Sequence, residues 1–142
     1  MLRRWFTRGR QEKPLGERGE DAAARFLKKR GYKIVARQRG AGHGDLDIVA
    51  VDPSDLRGRT VVFVEVKTRS SLEMGHPAEA VDAVKQRQLT RLALAFLKRH
   101  GLLEYPARFD IIAILWPADS RKPEIEHIKN AFEPSDRGQT FS

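Results

Sequence analysis

The stretch from Thr60 to Thr68 places two charged residues inside a run that is otherwise rich in apolar and β-branched residues. Such a run predicts a β-strand. Because successive side chains of a strand point to opposite faces, Glu65 and Lys67 share one face with Phe63. Charged groups in an apolar strand are costly unless they are compensated. The strand therefore carries either an ordinary ion pair at a half-exposed surface or a functional site.

Two further acids open the strand that is predicted directly before this one. Asp45 and Asp47 alternate with apolar residues, so they lie on one face of a strand that we expect to neighbour the first. Carboxylates on adjacent strands can converge on Mg²⁺, which takes oxygen ligands and commonly keeps waters and a substrate phosphate. We predict Asp47 and Glu65 as metal ligands. Lys67 would assist the attacking water and offset charge on the phosphate.

Hydrophobic periodicity along the chain predicts two helices and five strands. Their predicted bounds are helix Gly16–Arg30, strands Tyr32–Arg37, Asp45–Val51 and Thr60–Thr68, helix Pro77–His100, and strands Arg108–Leu115 and Ile125–Phe132. The order α-β-β-β-α-β-β predicts an α/β fold, a mixed sheet flanked by helices, whose first three strands form a meander. We expect a basic flexible arm at 1–14, one domain at 15–132 and a flexible tail at 133–142.

Each predicted helix directs one charged residue towards the proposed site. At 100° per residue, Glu20 lies beside Leu27 at the border of the apolar stripe. Its carboxylate could meet those of residues 47 and 65 at a single point, or could simply complement the helix dipole. Lys85 lies within the apolar stripe of the second helix, where it reaches either solvent or the acidic cluster and a phosphate. Asp110 is predicted to have a structural partner such as Arg108 rather than a metal.

The composition favours a polyanionic partner. The 142-residue chain has a net charge of +8 and no cysteine, which excludes disulfides and thiolate zinc sites. Positive charge favours nucleic acid because counterions released from phosphates drive binding, although ribosomal and membrane-surface proteins share this feature. No apolar run approaches the roughly 20 residues needed to span a bilayer, and the start does not resemble a signal peptide. We therefore expect a cytoplasmic protein without a membrane partner.

These motifs together resemble the PD-(D/E)XK nucleases, in which an aspartate is followed, after a spacer, by Glu-x-Lys. The match here is Asp47 with Glu65-Val66-Lys67. More closely, the chain resembles the YraN-type family, which is similar to archaeal Holliday junction resolvases. The segments that carry this resemblance are Gly16–Ala23, Gly44–Ala50, Phe63–Arg69, Lys85–Gln86 and Arg108–Ala113. The family usually has glutamate where Asp45 stands, which keeps the acid but shortens its reach.

The resemblance implies a restriction-endonuclease-like core with a site for Mg²⁺ or Mn²⁺. The active-site residues that it implies are Glu20, Asp47, Glu65 and Lys67. It implies no known substrate. Our leading hypothesis is a metal-dependent DNA endonuclease that hydrolyses phosphodiester bonds, with branched DNA of the Holliday-junction type as a candidate substrate.

Basic residues near the site and in the arm are expected to bind the nucleic acid. These residues are Lys85, Arg69, Arg3 and Arg4. A resolvase-like activity also predicts a homodimer, because cutting two strands calls for two sites related by a twofold axis. Two alternatives stay open, namely a non-catalytic nucleic-acid-binding module on a nuclease fold and an RNA-processing nuclease.

Overall fold

The computed structural model of the protein describes residues 13–37, 46–73, 75–77 and 81–135. The predictions for Arg3, Arg4 and Asp45 lie outside these residues. So do most of the predicted basic arm and most of the predicted tail.

The described residues form two helices and five strands in the predicted order. The elements are α1 Leu15–Lys29, β1 Lys33–Arg37, β2 Ile48–Asp52, β3 Thr60–Arg69, α2 Ala83–Arg99, β4 Ala107–Leu115 and β5 Glu124–Phe132. This order confirms the predicted α/β fold class. Two boundaries differ by three residues or more. α2 begins at Ala83 rather than Pro77, because the Asp82 side chain caps the helix by accepting a hydrogen bond from the Lys85 backbone N–H. β2 begins at Ile48 rather than Asp45, so Asp47 lies just before the strand.

The five strands form one mixed sheet in the order β1-β2-β3-β4-β5. The pairs β1–β2 and β2–β3 are antiparallel, which confirms the predicted meander. The chain then crosses over through α2, so β4 lies parallel to β3, and β5 returns antiparallel to β4. Consequently β3 lies at the centre of the sheet, with β2 on one side and β4 on the other.

The two helices cover opposite faces of the sheet, and β3 is buried on both. Val61 and Phe63 belong to the core cluster that contains the buried residues of α2. Val62 and Val64 belong to the cluster that contains the buried residues of α1. By alternation, Glu65 is directed to the α2 face, where β3 begins to leave the core.

A glycine allows α1 to lie close against β3. A Cβ atom added at Gly19 would overlap Oγ1 of Thr68 and lie 3.0 Å from its Cβ. A larger residue at this position would therefore push the helix and strand apart. This contact places the first turns of α1 beside the end of β3 that carries the charged residues. No helix in the described ranges has the length and apolar character needed to span a membrane.

Candidate active site

The candidate active site lies where β2 begins and β3 leaves the core. Ile48 pairs with Val64, so the residue before it, Asp47, stands next to Glu65. The Val66 backbone N–H donates a hydrogen bond of 2.8 Å to Oδ2 of Asp47, which holds this side chain against β3. The two predicted ligands are therefore neighbours on adjacent strands, as the alternation of the sequence predicted.

Glu65 is buried between two lysines. Its side chain is 4% exposed, and its Oε2 lies 3.4 Å from Nζ of Lys67 and 3.5 Å from Nζ of Lys85. The lysine side chains are 23% and 28% exposed, so both amines remain partly accessible from solvent. For Lys85 the sequence left two alternatives open. The structure decides between them, because the amine extends from the first turn of α2 to the acidic pair.

Both lysines pair with Glu65, whereas Asp47 forms no ion pair within the described residues. Burial raises the pKa of Asp47 well above its usual range, and the adjoining Glu65 carboxylate raises it further. The hydrogen bond from Val66 acts in the opposite direction but does not cancel these effects. A half-buried and a buried carboxylate in contact favour a shared proton or a bound cation, because like charges at this distance cannot both ionise freely.

Glu20 lies near this pair but does not complete a three-ligand cluster. The pKa of Glu20 is raised, mainly by burial. The Arg37 guanidinium acts to lower this pKa, and the Glu65 charge raises it by a smaller amount. Among the described residues, no group of three or more His, Cys, Asp or Glu side chains is arranged to hold a metal ion. The oxygens of residues 20, 47 and 65 therefore do not form a three-carboxylate metal site, and the catalytic role expected for Glu20 stays a prediction. The carboxylates of Asp47 and Glu65 form a pair.

The donor chemistry of this pair fits Mg²⁺. That ion is usually bound by one or two carboxylates, while waters and substrate phosphates complete its octahedral shell. Asp47 and Glu65 supply two carboxylates from adjacent strands, and Lys67 stands at the edge of the pair without being a ligand. The residues present therefore suit a partly hydrated ion that also contacts a phosphate.

Arg69 ends β3 two residues beyond Lys67. Its Nη1 donates a 3.2 Å hydrogen bond to the Thr68 carbonyl, and its own carbonyl accepts from the Trp116 N–H at 2.8 Å. The backbone at this end of the strand is thus fixed by β4. Arg69 is half-buried, and its expected contact with nucleic acid stays a prediction.

A second charged cluster lies towards the opposite end of β3 and β4. Nε of Arg108 donates to Asp110 at 2.9 Å, which confirms the structural pairing predicted for this aspartate. The same guanidinium also binds Asp52 at 3.0 Å, Asp55 at 2.5 Å and the Tyr32 hydroxyl at 2.9 Å. Sequence analysis did not predict these last three partners. The one available signal was that a buried arginine requires several acceptors.

Residues 19–114 match the model of the uncharacterised protein family UPF0102. The chain belongs to the UPF0102 family. This confirms the resemblance to YraN-type proteins. The matched region begins in the second turn of α1 and ends one residue before the end of β4, so it contains both the candidate active site and Arg108 with Asp110.

Individual UPF0102 proteins are similar over most of their length. A relative from Geotalea uraniireducens is 50% identical over 121 residues, which cover 85% of this chain and 91% of the relative. One from Geobacter sulfurreducens is 50% identical over 121 residues, covering 85% and 90%. One from Rhodopirellula baltica is 44% identical over 119 residues, covering 83% and 70%. These relatives carry the family name alone, so the site must be interpreted from its own chemistry.

Proposed function

We propose that this UPF0102 protein is a metal-dependent endonuclease that hydrolyses phosphodiester bonds in DNA. The proposal depends on one observation: the half-buried carboxylate of Asp47 and the buried carboxylate of Glu65 lie side by side, with the amine of Lys67 3.4 Å from Glu65. Such a set provides a place for a divalent ion and a cation for the phosphate. Perturbed acids grouped in this way are typical of functional sites.

Asp47 and Glu65 would hold Mg²⁺ or Mn²⁺. When bound, the ion would stabilise negative charge on the phosphate and lower the pKa of a water molecule. Lys67 would orient the attacking water and donate hydrogen bonds to the phosphate oxygen on which charge develops. Lys85 would bind a neighbouring phosphate from α2 and, with Lys67, would keep the Glu65 side chain in place.

Branched DNA is the substrate that we propose, because YraN-type chains resemble the Holliday junction resolvases. A homodimer would then place two sites on the two strands to be cut. The net charge of +8 supports a nucleic-acid substrate, since a protein that binds phosphates through lysine and arginine gains free energy from counterion release.

A cleavage assay tests the proposal. The substrates are duplex, flap, four-way junction and single-stranded DNA, with RNA as a further arm, each incubated with Mg²⁺ or Mn²⁺. We expect Asp47→Asn and Lys67→Ala each to reduce cleavage by about 100-fold or more. The matched controls Asp119→Asn and Lys122→Ala change exposed residues and should cleave like wild type. Cleavage that is equal in wild type and Asp47→Asn would contradict the proposal, and cleavage of RNA alone would assign an RNA-processing activity.

A non-catalytic nucleic-acid-binding module is the second candidate. It is favoured by the lack of a third ligand side chain beside Asp47 and Glu65 in the described part of the chain. This candidate predicts that wild type cuts none of the substrates and binds them equally well with and without divalent ions. The endonuclease predicts metal-dependent cleavage, so the same assay separates the two.

A further inference from the structure

Helix α2 carries five basic residues and no acidic residue among its 17 positions. Helix α1 differs, because its 15 residues include three acids beside four bases. A solvated helix face usually mixes both signs, since opposite charges three or four residues apart stabilise the helix. The composition of α2 is therefore one-sided, and helix stability does not explain it.

Three of the five basic residues form a single stripe. At 100° per residue, Arg87, Arg91 and Lys98 fall within about 40° of one another around the helix axis. All three are exposed. The buried residues of α2 lie on the other side of the helix and are Leu89, Thr90, Ala93 and Leu97. We call Arg87, Arg91 and Lys98 the α2 basic stripe.

The α2 basic stripe has no anionic partner among the residues that the structure describes. None of its three side chains forms an ion pair or a side-chain hydrogen bond within these residues, whereas Lys85 on the same helix pairs with Glu65. Arg87 and Arg91 are four residues apart, a spacing at which like charges repel and destabilise a helix. An external polyanion would remove this repulsion.

We propose that the α2 basic stripe binds the phosphate backbone of a duplex DNA arm, as a contact surface separate from the candidate active site. From Arg87 to Lys98 the stripe extends about 16 Å along the helix, which corresponds to roughly five base pairs of duplex. Because Lys85 ties the first turn of the same helix to Glu65, α2 links the stripe rigidly to the site. The choice of DNA as partner rests on the proposed function.

The test compares two triple variants that remove the same charge. Arg87→Gln/Arg91→Gln/Lys98→Gln changes the stripe, and Arg25→Gln/Lys28→Gln/Lys29→Gln changes three exposed residues of α1 on the opposite face of the sheet. Binding of a fluorescent duplex is measured in EDTA over a range of salt concentrations. Thermal unfolding first establishes that both variants are folded.

Log affinity falls as log salt rises, and each lost phosphate contact makes this slope shallower by about 0.9. The slope of the stripe variant should therefore be shallower by about 2.7 than that of wild type. From about 50 to about 200 mM salt, wild type should thus lose about 40-fold more affinity than the stripe variant. The α1 variant should keep the wild-type slope. Equal slopes for the two variants would overturn the proposal. So would an unchanged DNA slope with lost binding to phosphatidylglycerol vesicles, which would assign the stripe to a membrane.

The binding assay contains no divalent ion, so its outcome is independent of cleavage. A shallower slope in the stripe variant supports phosphate binding by the α2 basic stripe even if wild type cuts no substrate. Conversely, metal-dependent cleavage by a stripe variant whose slope is unchanged overturns the stripe and leaves the proposed endonuclease intact.

Discussion

Two groups of buried and half-buried carboxylates lie on this sheet, and their surroundings differ. Asp110 is fully buried, yet its oxygens accept hydrogen bonds from the guanidinium of Arg108 and from the backbone N–H of Asn130, and one lies 2.8 Å from Nε2 of His127. These contacts hold the pKa of Asp110 below its usual range although burial acts to raise it. Asp47 instead faces another carboxylate, and its pKa is raised.

The difference separates a structural role from a functional one. An acid whose oxygens are occupied by donors within the protein contributes to the stability of the fold and has little affinity left for a ligand. An acid that is buried beside another acid weakens the fold unless a proton or an external cation compensates it. The Arg108 cluster therefore belongs to the framework, whereas the pair of Asp47 and Glu65 has the properties of a binding site.

The largest effect is expected from removing the arginine of the framework cluster. Arg108→Met would leave Asp52, Asp55 and Asp110 without their shared cation, and breaking a buried ion pair from one side costs about 3 to 5 kcal/mol. Urea unfolding measures this loss. The control Arg121→Met changes an exposed arginine and should alter stability by less than about 0.5 kcal/mol. A similarly small loss for Arg108→Met would show that the cluster does not hold the sheet.

The next largest change in stability is expected when a divalent metal binds to Asp47 and Glu65. A ligand that binds only the folded state stabilises it by about 2.7 kcal/mol at 100 times its dissociation constant. We therefore expect Mg²⁺ or Mn²⁺ to raise the thermal midpoint of wild type and of Asp119→Asn, but not of Asp47→Asn. An equal rise in all three proteins would mean that the ion binds elsewhere.

Lowering the pH should cause a smaller loss of stability, which comes from the acids that pair with Arg108. The pKa values of Asp52 and Asp110 are lowered in the folded state, so between the folded and unfolded pKa values the unfolded chain binds more protons. This stability is present above the unfolded value near pH 4 and is lost as the pH falls through the folded values. The free energy of unfolding should thus fall below about pH 4, and should fall less steeply in Arg108→Met. Parallel pH profiles for the two proteins would contradict this assignment.

The alternation of side chains along the strands correctly predicted which residues of the candidate active site lie together. The alternation in β3 placed Glu65 and Lys67 on one face, and the neighbouring strand placed Asp47 beside them, because strand period and antiparallel pairing follow directly from the sequence. The helical period did not decide whether the Lys85 amine reaches solvent or the acidic residues. Its contact with Glu65 also requires the crossover that sets α2 on the same face of the sheet.

Contacts between distant segments were the ones that sequence reasoning missed. Asp52 and Asp55 reach Arg108 across more than 50 positions of the chain, through the pairing of β3 with both β2 and β4. Glu20 was assigned to the acidic cluster from its place on the helix border. In the structure Arg37, at the end of β1, is the cation that acts on it. The end of this strand was predicted correctly, but the approach of its last side chain to α1 depends on how the helix packs on the sheet.

The smallest change in stability is expected for the lysines that flank the candidate site. Lys67→Gln and Lys85→Gln each remove one ion pair to Glu65, as Arg108→Met does for Asp110, but both amines are partly exposed. Pairs between exposed partners contribute about 0 to 1 kcal/mol. Glu65 is buried, but both amines reach solvent, so urea unfolding should show losses well below that of Arg108→Met. Glu65 keeps one lysine in each variant, which limits the loss further. If either variant lost as much as Arg108→Met, the two clusters would be equivalent structural elements, and the contrast that assigns function to one of them would fail.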